Sequence, residues 1–143
     1  MSDVKIAMPN YLDVIRCWHE IEPFIQKAVD ESNGELTTDS IKEKVANKEV
    51  IVLTIYDLSI AKLIAVTTFD MVTFESGIRV LNIQCAGGER VDEWFAEVDA
   101  IANCVAKRHD CSKIYVIGRN GWARKLKPIG YAPVHTVISR EVV

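Results

Sequence analysis

The chain has 143 residues, 49% of them hydrophobic and 26% charged, with a formal net charge of −3. This is the composition of one globular domain spanning 1–143, and it excludes a disordered or fibrous chain. No apolar run reaches the ~18 residues of a membrane span, and "MSDVKIAMPN" lacks the apolar stretch of a signal peptide.

"YLDVIRCWHEIEPFIQKAVDES" follows Pro9-Asn10 and carries a helical stripe of Leu12, Ile15, Ile21, Ile25 and Val29. Pro23 should kink or split that helix, and "SNG" at 32–34 should end it. A second helix starts after Thr37 or Thr38, either of which can cap it, with Ile41 and Val45 facing inward. "EVIVLTIY" (49–56) is apolar enough for a strand buried on both faces. "IAKLIAVTTFDMV" (60–72) and "IRVLNIQC" (78–85) complete an antiparallel meander through turns at "DLS" and "TFESG".

"RVDEWFAEVDAIANCVAKRHDC" is the strongest helix, with Trp94, Val98, Ile101 and Val105 on one stripe. Cys17 and Cys104 fall on helical patterns and read as small core residues. "KIYVIG" (113–118) is a strand; Asn120 caps a helix running through Lys127, which Pro128 and Gly130 end. "YAPVHTVISREVV" (131–143) is the last strand, with Pro133 at an edge or bulge. The order predicts an α/β fold: one mixed sheet of roughly five to seven strands with helices on its faces.

Charge is unevenly spread along this order. Residues 1–100 hold nine basic and eighteen acidic side chains, whereas residues 101–143 hold eight and two. Arg119, Arg124, Lys125 and Lys127 gather beside "GRNGW", a field suited to an anion. An earlier corner, "QCAGGER" (84–90), also joins a strand to a helix, and Gly87 and Gly88 there let the backbone approach a ligand at the helix N-terminus. On this reading a larger side chain at either glycine weakens the ligand and leaves the fold intact. Cys17, Cys85, Cys104 and Cys111 form no C-x-x-C pair and no histidine pair has zinc spacing, so no metal is expected and the thiols should be reduced, as in a cytoplasm.

The element order and the two corners resemble the GNAT superfamily of acetyl-CoA-dependent N-acetyltransferases over nearly the whole chain. In that family a Q/R-x-x-G-x-G/A loop holds the pyrophosphate of coenzyme A. Gln84-Cys85-Ala86-Gly87-Gly88-Glu89 matches the Gln and the first Gly, and Glu89 replaces the final Gly or Ala. The resemblance implies a splayed cofactor cleft between 78–85 and 113–118. It implies acetyl-CoA contacts from Cys85, Ala86, Gly87, Gly88, Glu89 and Arg90, and the basic corner adds Arg119, Asn120, Arg124 and Lys127. "GRNGW…L…GY" is most similar to small GNAT-like proteins of tailed bacteriophages, which implies a host-cytoplasm location.

Two family features are missing. Leu126 stands where the family often has an acidic Tyr, and "IRVLNIQC" has no carboxylate for a general base. Glu75 and Tyr131 are the remaining catalytic candidates. Without a dedicated acid or base, transfer would rely on holding amine and thioester together. The resemblance therefore implies an acetyltransferase acting on an unidentified small-molecule or protein amine; its alternative is a non-catalytic phage structural or interaction protein that keeps the fold. The acidic first two-thirds argue against nucleic acid, no membrane partner is expected, and a homo-oligomer is compatible with the sequence.

Overall fold

The computed structural model describes residues 3–118 and 121–143. One five-stranded sheet runs in the order β1 (Val4–Ala7), β2 (Val50–Asp57), β3 (Lys62–Thr73), β4 (Arg79–Gly88) and β5 (Lys113–Val116). The first four strands are antiparallel neighbours, and β5 joins β4 in parallel. This is the mixed sheet that the meander and the strand–helix unit predict.

Each face of the sheet has its own core. On one face lie α1 (Tyr11–Arg16), α2 (Trp18–Asp30) and α3 (Thr38–Ala46), which bury Val14, Trp18, Ile21, Ile25, Ile41 and Val45 against Val50, Val52 and Val66. On the other lie α4 (Val91–Arg108) and α5 (Gly121–Leu126), which close over Leu53, Ile55, Phe69, Leu81 and Ile83. β2 supplies both cores from alternate residues, which is why its sequence is apolar without a break. The caps are local: Asn10 Oδ1 accepts from the Asp13 N–H at 2.9 Å. Thr37, rather than Thr38, caps α3 in a reciprocal box with Ser40, its Oγ1 accepting from the Ser40 N–H at 3.0 Å. No helix among the described residues is long and apolar enough to cross a membrane.

Several sequence expectations are corrected. The chain opens with a strand, β1, where none is expected. The break in the first helical stretch falls at Cys17, and Pro23 lies inside α2; burial of Trp18, Ile21 and Ile25 holds that helix through the lost hydrogen bond. Cys17 and Cys104 are exposed rather than core residues. In α4 the buried arc is Trp94, Phe95, Val98, Ala102, Val105 and Ala106, and Cys104 falls outside it. Residues 131–143 form no strand, and β5 is left as the edge of the sheet. The β-rich composition is present, but a strand is stable only against a partner, and this segment lies exposed.

Candidate active site

The site is set by how β4 and β5 part. They pair at Val80 with Lys113, Leu81 with Ile114, Asn82 with Tyr115 and Ile83 with Val116, and pairing stops there. β4 continues to Gly88 with β3 on one side and, among the described residues, no strand on the other. The expected splay between 78–85 and 113–118 is therefore present from Gln84 onward. A row of strand-edge groups left in this way can hydrogen-bond an extended chain of amides, as the pantetheine arm of coenzyme A is.

A bulge lies where the strands part. Thr68 pairs with Cys85 and Phe69 with Ile83, which leaves Gln84 as the extra residue of β4. The bulge exchanges the two faces of the strand. Leu81 and Ile83 point into the α4 core, whereas Cys85 enters the α1–α3 core and Ala86 packs against the α4 core. Cys85 is 2% exposed, and burial raises its thiol pKa, so only its backbone is available to a ligand.

Gly87 and Gly88 belong to β4, paired with Val66 and Ala65, rather than to a loop after it. Their lack of a side chain serves packing. A Cβ on Gly87 would stand 2.3 Å from the Phe24 carbonyl oxygen of α2. One on Gly88, whose φ is +135°, would stand 2.4 Å from the Ile64 oxygen and 2.5 Å from the Ala65 Cα. The second corner works similarly: a Cβ on Gly118 would lie 2.7 Å from Cδ1 of Trp122. Trp122 in turn packs on Phe95, with ring centroids 5.5 Å apart.

The turn from β4 into α4 is held by named contacts. The Glu89 N–H donates to the Ile64 oxygen at 3.0 Å, and the buried Trp94 Nε1–H donates to the Glu89 oxygen at 2.8 Å. Arg90 adopts the left-handed conformation, φ 60°, as the N-cap residue of α4. Its guanidinium pairs with Asp57 at the end of β2 and with Glu93 in the first turn of α4. The Ser59 hydroxyl and Arg90 together hold the Asp57 carboxyl below the usual range. Asp57 thus contributes stability that is present above its unfolded pKa and is lost as pH falls through its lower folded value. Thermal melts from neutral pH into acid should show this loss, and Asp57→Asn should flatten that part of the profile; an unchanged profile would mean that the Arg90 cluster does not brace the turn.

The sequence-derived candidates are not all brought together. Glu75 lies in the exposed β3–β4 turn, at the opposite end of β4 from the splay. Tyr131 is half-buried and donates its hydroxyl to Asp99 of α4 at 2.6 Å; burial, and then Asp99, raise its pKa, so the phenol stays protonated. Arg124 and Lys127 are exposed, whereas Lys125 reaches Asp92 in the first turn of α4 at 3.2 Å. Arg119 and Asn120 lie outside the described residues. Leu126 is 4% exposed and belongs to the α4 core, so that position serves packing. The residues fit an extended acyl-carrier arm along 84–88, followed by the free N–H groups at the start of α4 for its anionic end. Glu89, Asp92 and Glu93 temper that end.

A mixed sheet splayed between β4 and β5, with a bulge at the splay and a long helix opening beside it, has the fold of the GNAT acetyltransferases. One similar structure is a predicted acetyltransferase of Clostridium acetobutylicum determined with acetyl-CoA, at 15% identity, a TM-score of 0.67 and 96% of each chain covered. Another is glucosamine-6-phosphate N-acetyltransferase of Arabidopsis thaliana, at 13% identity and a TM-score of 0.65, with 96% of this chain and 97% of that one covered. A GNAT family acetyltransferase of Staphylococcus aureus matches at 12% identity and a TM-score of 0.64, over 99% of this chain and 100% of that one. No protein-family profile and no curated protein sequence matches the chain significantly.

Proposed function

We propose that the protein is an N-acetyltransferase that moves an acetyl group from acetyl-CoA to an amine. The observation that carries this reading is the parting of β4 from β5 after Ile83 and Val116, which leaves 84–88 with an unpaired edge directly before α4. The reading is supported by the shared fold and by the acetyl-CoA bound to the Clostridium protein. The edge of 84–88 holds the pantetheine arm, and the first turn of α4 receives the pyrophosphate, with the exposed cations Arg124 of α5 and Lys127 just after it. In the reaction the amine nitrogen bonds to the acetyl carbon, the carbon–sulfur bond breaks, coenzyme A leaves as the thiol, and one proton is released.

Calorimetry with acetyl-CoA, combined with thiol release in the presence of a panel of primary amines, tests this. Saturable binding and amine-dependent thiol release are expected. No binding at millimolar acetyl-CoA would overturn the proposal and leave a non-catalytic use of the fold.

A further inference from the structure

Folding the β3–β4 hairpin about its 74–78 turn sets residues far apart in sequence side by side. Thr73 meets Arg79, Val72 meets Val80, Met71 meets Leu81, and Asp70 meets Asn82. Asn82 in turn meets Tyr115 of β5. Asp70, Asn82 and Tyr115 therefore form one row across three strands. Their side chains share a face because directly paired residues project to the same side. It is the α1–α3 face, since the intervening Leu81 and Ile83 enter the opposite core. The row lies one residue pair before Ile83 and Val116, the last pair before the splay.

The chemistry of this row is unusual for a sheet. Asn82 is 8% exposed. Its Nδ2 donates to Asp70 Oδ1 at 3.0 Å, but its own Oδ1 is buried without a hydrogen-bond partner among the described residues. A buried amide oxygen left in this state costs stability. Beside it stands a half-buried carboxylate. Both groups accept hydrogen bonds, so a ligand that completes them must be a donor, and the carboxylate favours a cation. Tyr115 and Phe74 extend the same face, their rings 5.9 Å apart and Phe74 41% exposed. Aromatic faces beside an anionic acceptor suit an ammonium carried on an apolar stem.

We propose that Asp70 and Asn82 form the acceptor site of the enzyme, binding a primary ammonium group through Asp70 Oδ2 and Asn82 Oδ1, with Phe74 and Tyr115 against its apolar stem, and that Asp70 takes the proton that frees the amine for attack. This inference rests on the acetyltransferase reading and assigns its missing proton acceptor to the third strand. The proton passes from R–NH3+ to the Asp70 carboxylate, giving R–NH2 and a carboxylic acid; Asp70 returns the proton to solvent after the amide has formed. Burial raises the Asp70 pKa, against the opposing effects of the Asn82 hydrogen bond and of Lys44 on α3. That suits a group that must accept a proton near neutral pH. The other titratable groups around it are Cys85 of β4, whose thiol is itself pushed up by burial, and Lys113 and Tyr115 on the same face of β5.

The test uses phenethylamine as ligand and 2-phenylethanol as its uncharged control, with the wild type, Asp70→Asn and Asn82→Leu. Asp70→Asn keeps an oxygen for the Asn82 Nδ2–H and removes the charge. Amine binding followed by NMR titration should weaken at least tenfold in Asp70→Asn, the alcohol should bind all three proteins alike, and acetyl-CoA affinity by calorimetry should be unchanged. Turnover with the amine should fall about 10²–10⁴-fold, and the acid limb of the pH–kcat/KM profile should disappear. Because the folded protein raises the carboxyl pKa, removing the charge at neutral pH should leave the Tm equal or higher; a merely structural Asp70 would lower it. Equal amine affinity in wild type and Asp70→Asn would overturn the site, even if acetyl-CoA binds and is consumed. Amine binding that depends on Asp70, in a protein that ignores acetyl-CoA, would instead uphold the site and overturn the acetyltransferase reading.

Discussion

Gly87→Val is expected to destabilise the protein strongly, through packing rather than through a ligand. The new Cβ would stand 2.3 Å from a backbone oxygen of α2, and backbone cannot rotate away as a side chain can. Overpacking a tight core costs about 1–3 kcal/mol and sometimes more; a β-branched residue against a main-chain oxygen belongs at the upper end. Here the loss means separating α2 from β4. About 3 kcal/mol corresponds to a Tm lower by roughly 10 °C in a domain of this size. Gly88→Val adds backbone strain at φ +135° to contact with Ala65. Circular dichroism melts of both variants check the expectation. A Gly87→Val protein that melts like the wild type would show that α2 does not sit this close to the sheet.

The second large effect is expected at Trp94. The side chain is fully buried in the α4 core and donates to the Glu89 oxygen. Trp94→Ala removes the ring and leaves a cavity, at a cost of about 3–5 kcal/mol, or a Tm lower by roughly 10–20 °C. Trp94→Phe fills most of the space and removes only the donor to the Glu89 oxygen, for about 0.5–1.5 kcal/mol. The two variants separate packing from positioning. If the indole N–H fixes the turn into α4, Trp94→Phe should weaken acetyl-CoA binding while the protein remains folded at 25 °C. Unchanged binding in folded Trp94→Phe would show that the turn holds its shape without that bond.

Much of the fold is legible in the sequence because the long elements carry strong periodic signals. The Trp94–Val98–Val105 stripe and the unbroken apolar run of β2 have few alternative readings. β1 has four residues and one partner strand, too little for any pattern to stand out. The segment 131–143 shows the opposite difficulty: its composition suits a strand, but whether it becomes one depends on an edge elsewhere in the fold. The glycines at 87 and 88 read in sequence as a loop approaching a ligand, whereas in the fold they lie in β4 and what approaches them is protein: the Phe24 carbonyl, Ile64 and Ala65. The Asp70–Asn82 pair was not legible: stepping back from "TFESG" (73–77) sets Asp70 opposite Val80, and only the observed turn at 74–78 brings it to Asn82. Tyr115 needs the parallel register of β5, for which a single chain carries no local signal. The bulge at Gln84 left no recognisable mark, a polar residue inside an apolar run being its only trace.

That bulge makes β4 two half-strands with opposite inside-outside rules. Before it, odd-numbered residues face α4; after it, Ala86 does so, and Cys85 and Gly87 turn toward α2. Mutational tolerance along the strand should therefore alternate in one phase up to Ile83 and in the other from Cys85 onward. For evolution, this makes position 84 the spare residue of the strand. Losing it would place Cys85 directly after Ile83 in unbroken alternation, with Ile83 and Ala86 still toward α4 and Cys85 and Gly87 still toward α2, so the deletion would iron out the bulge and leave every core side chain on its own face.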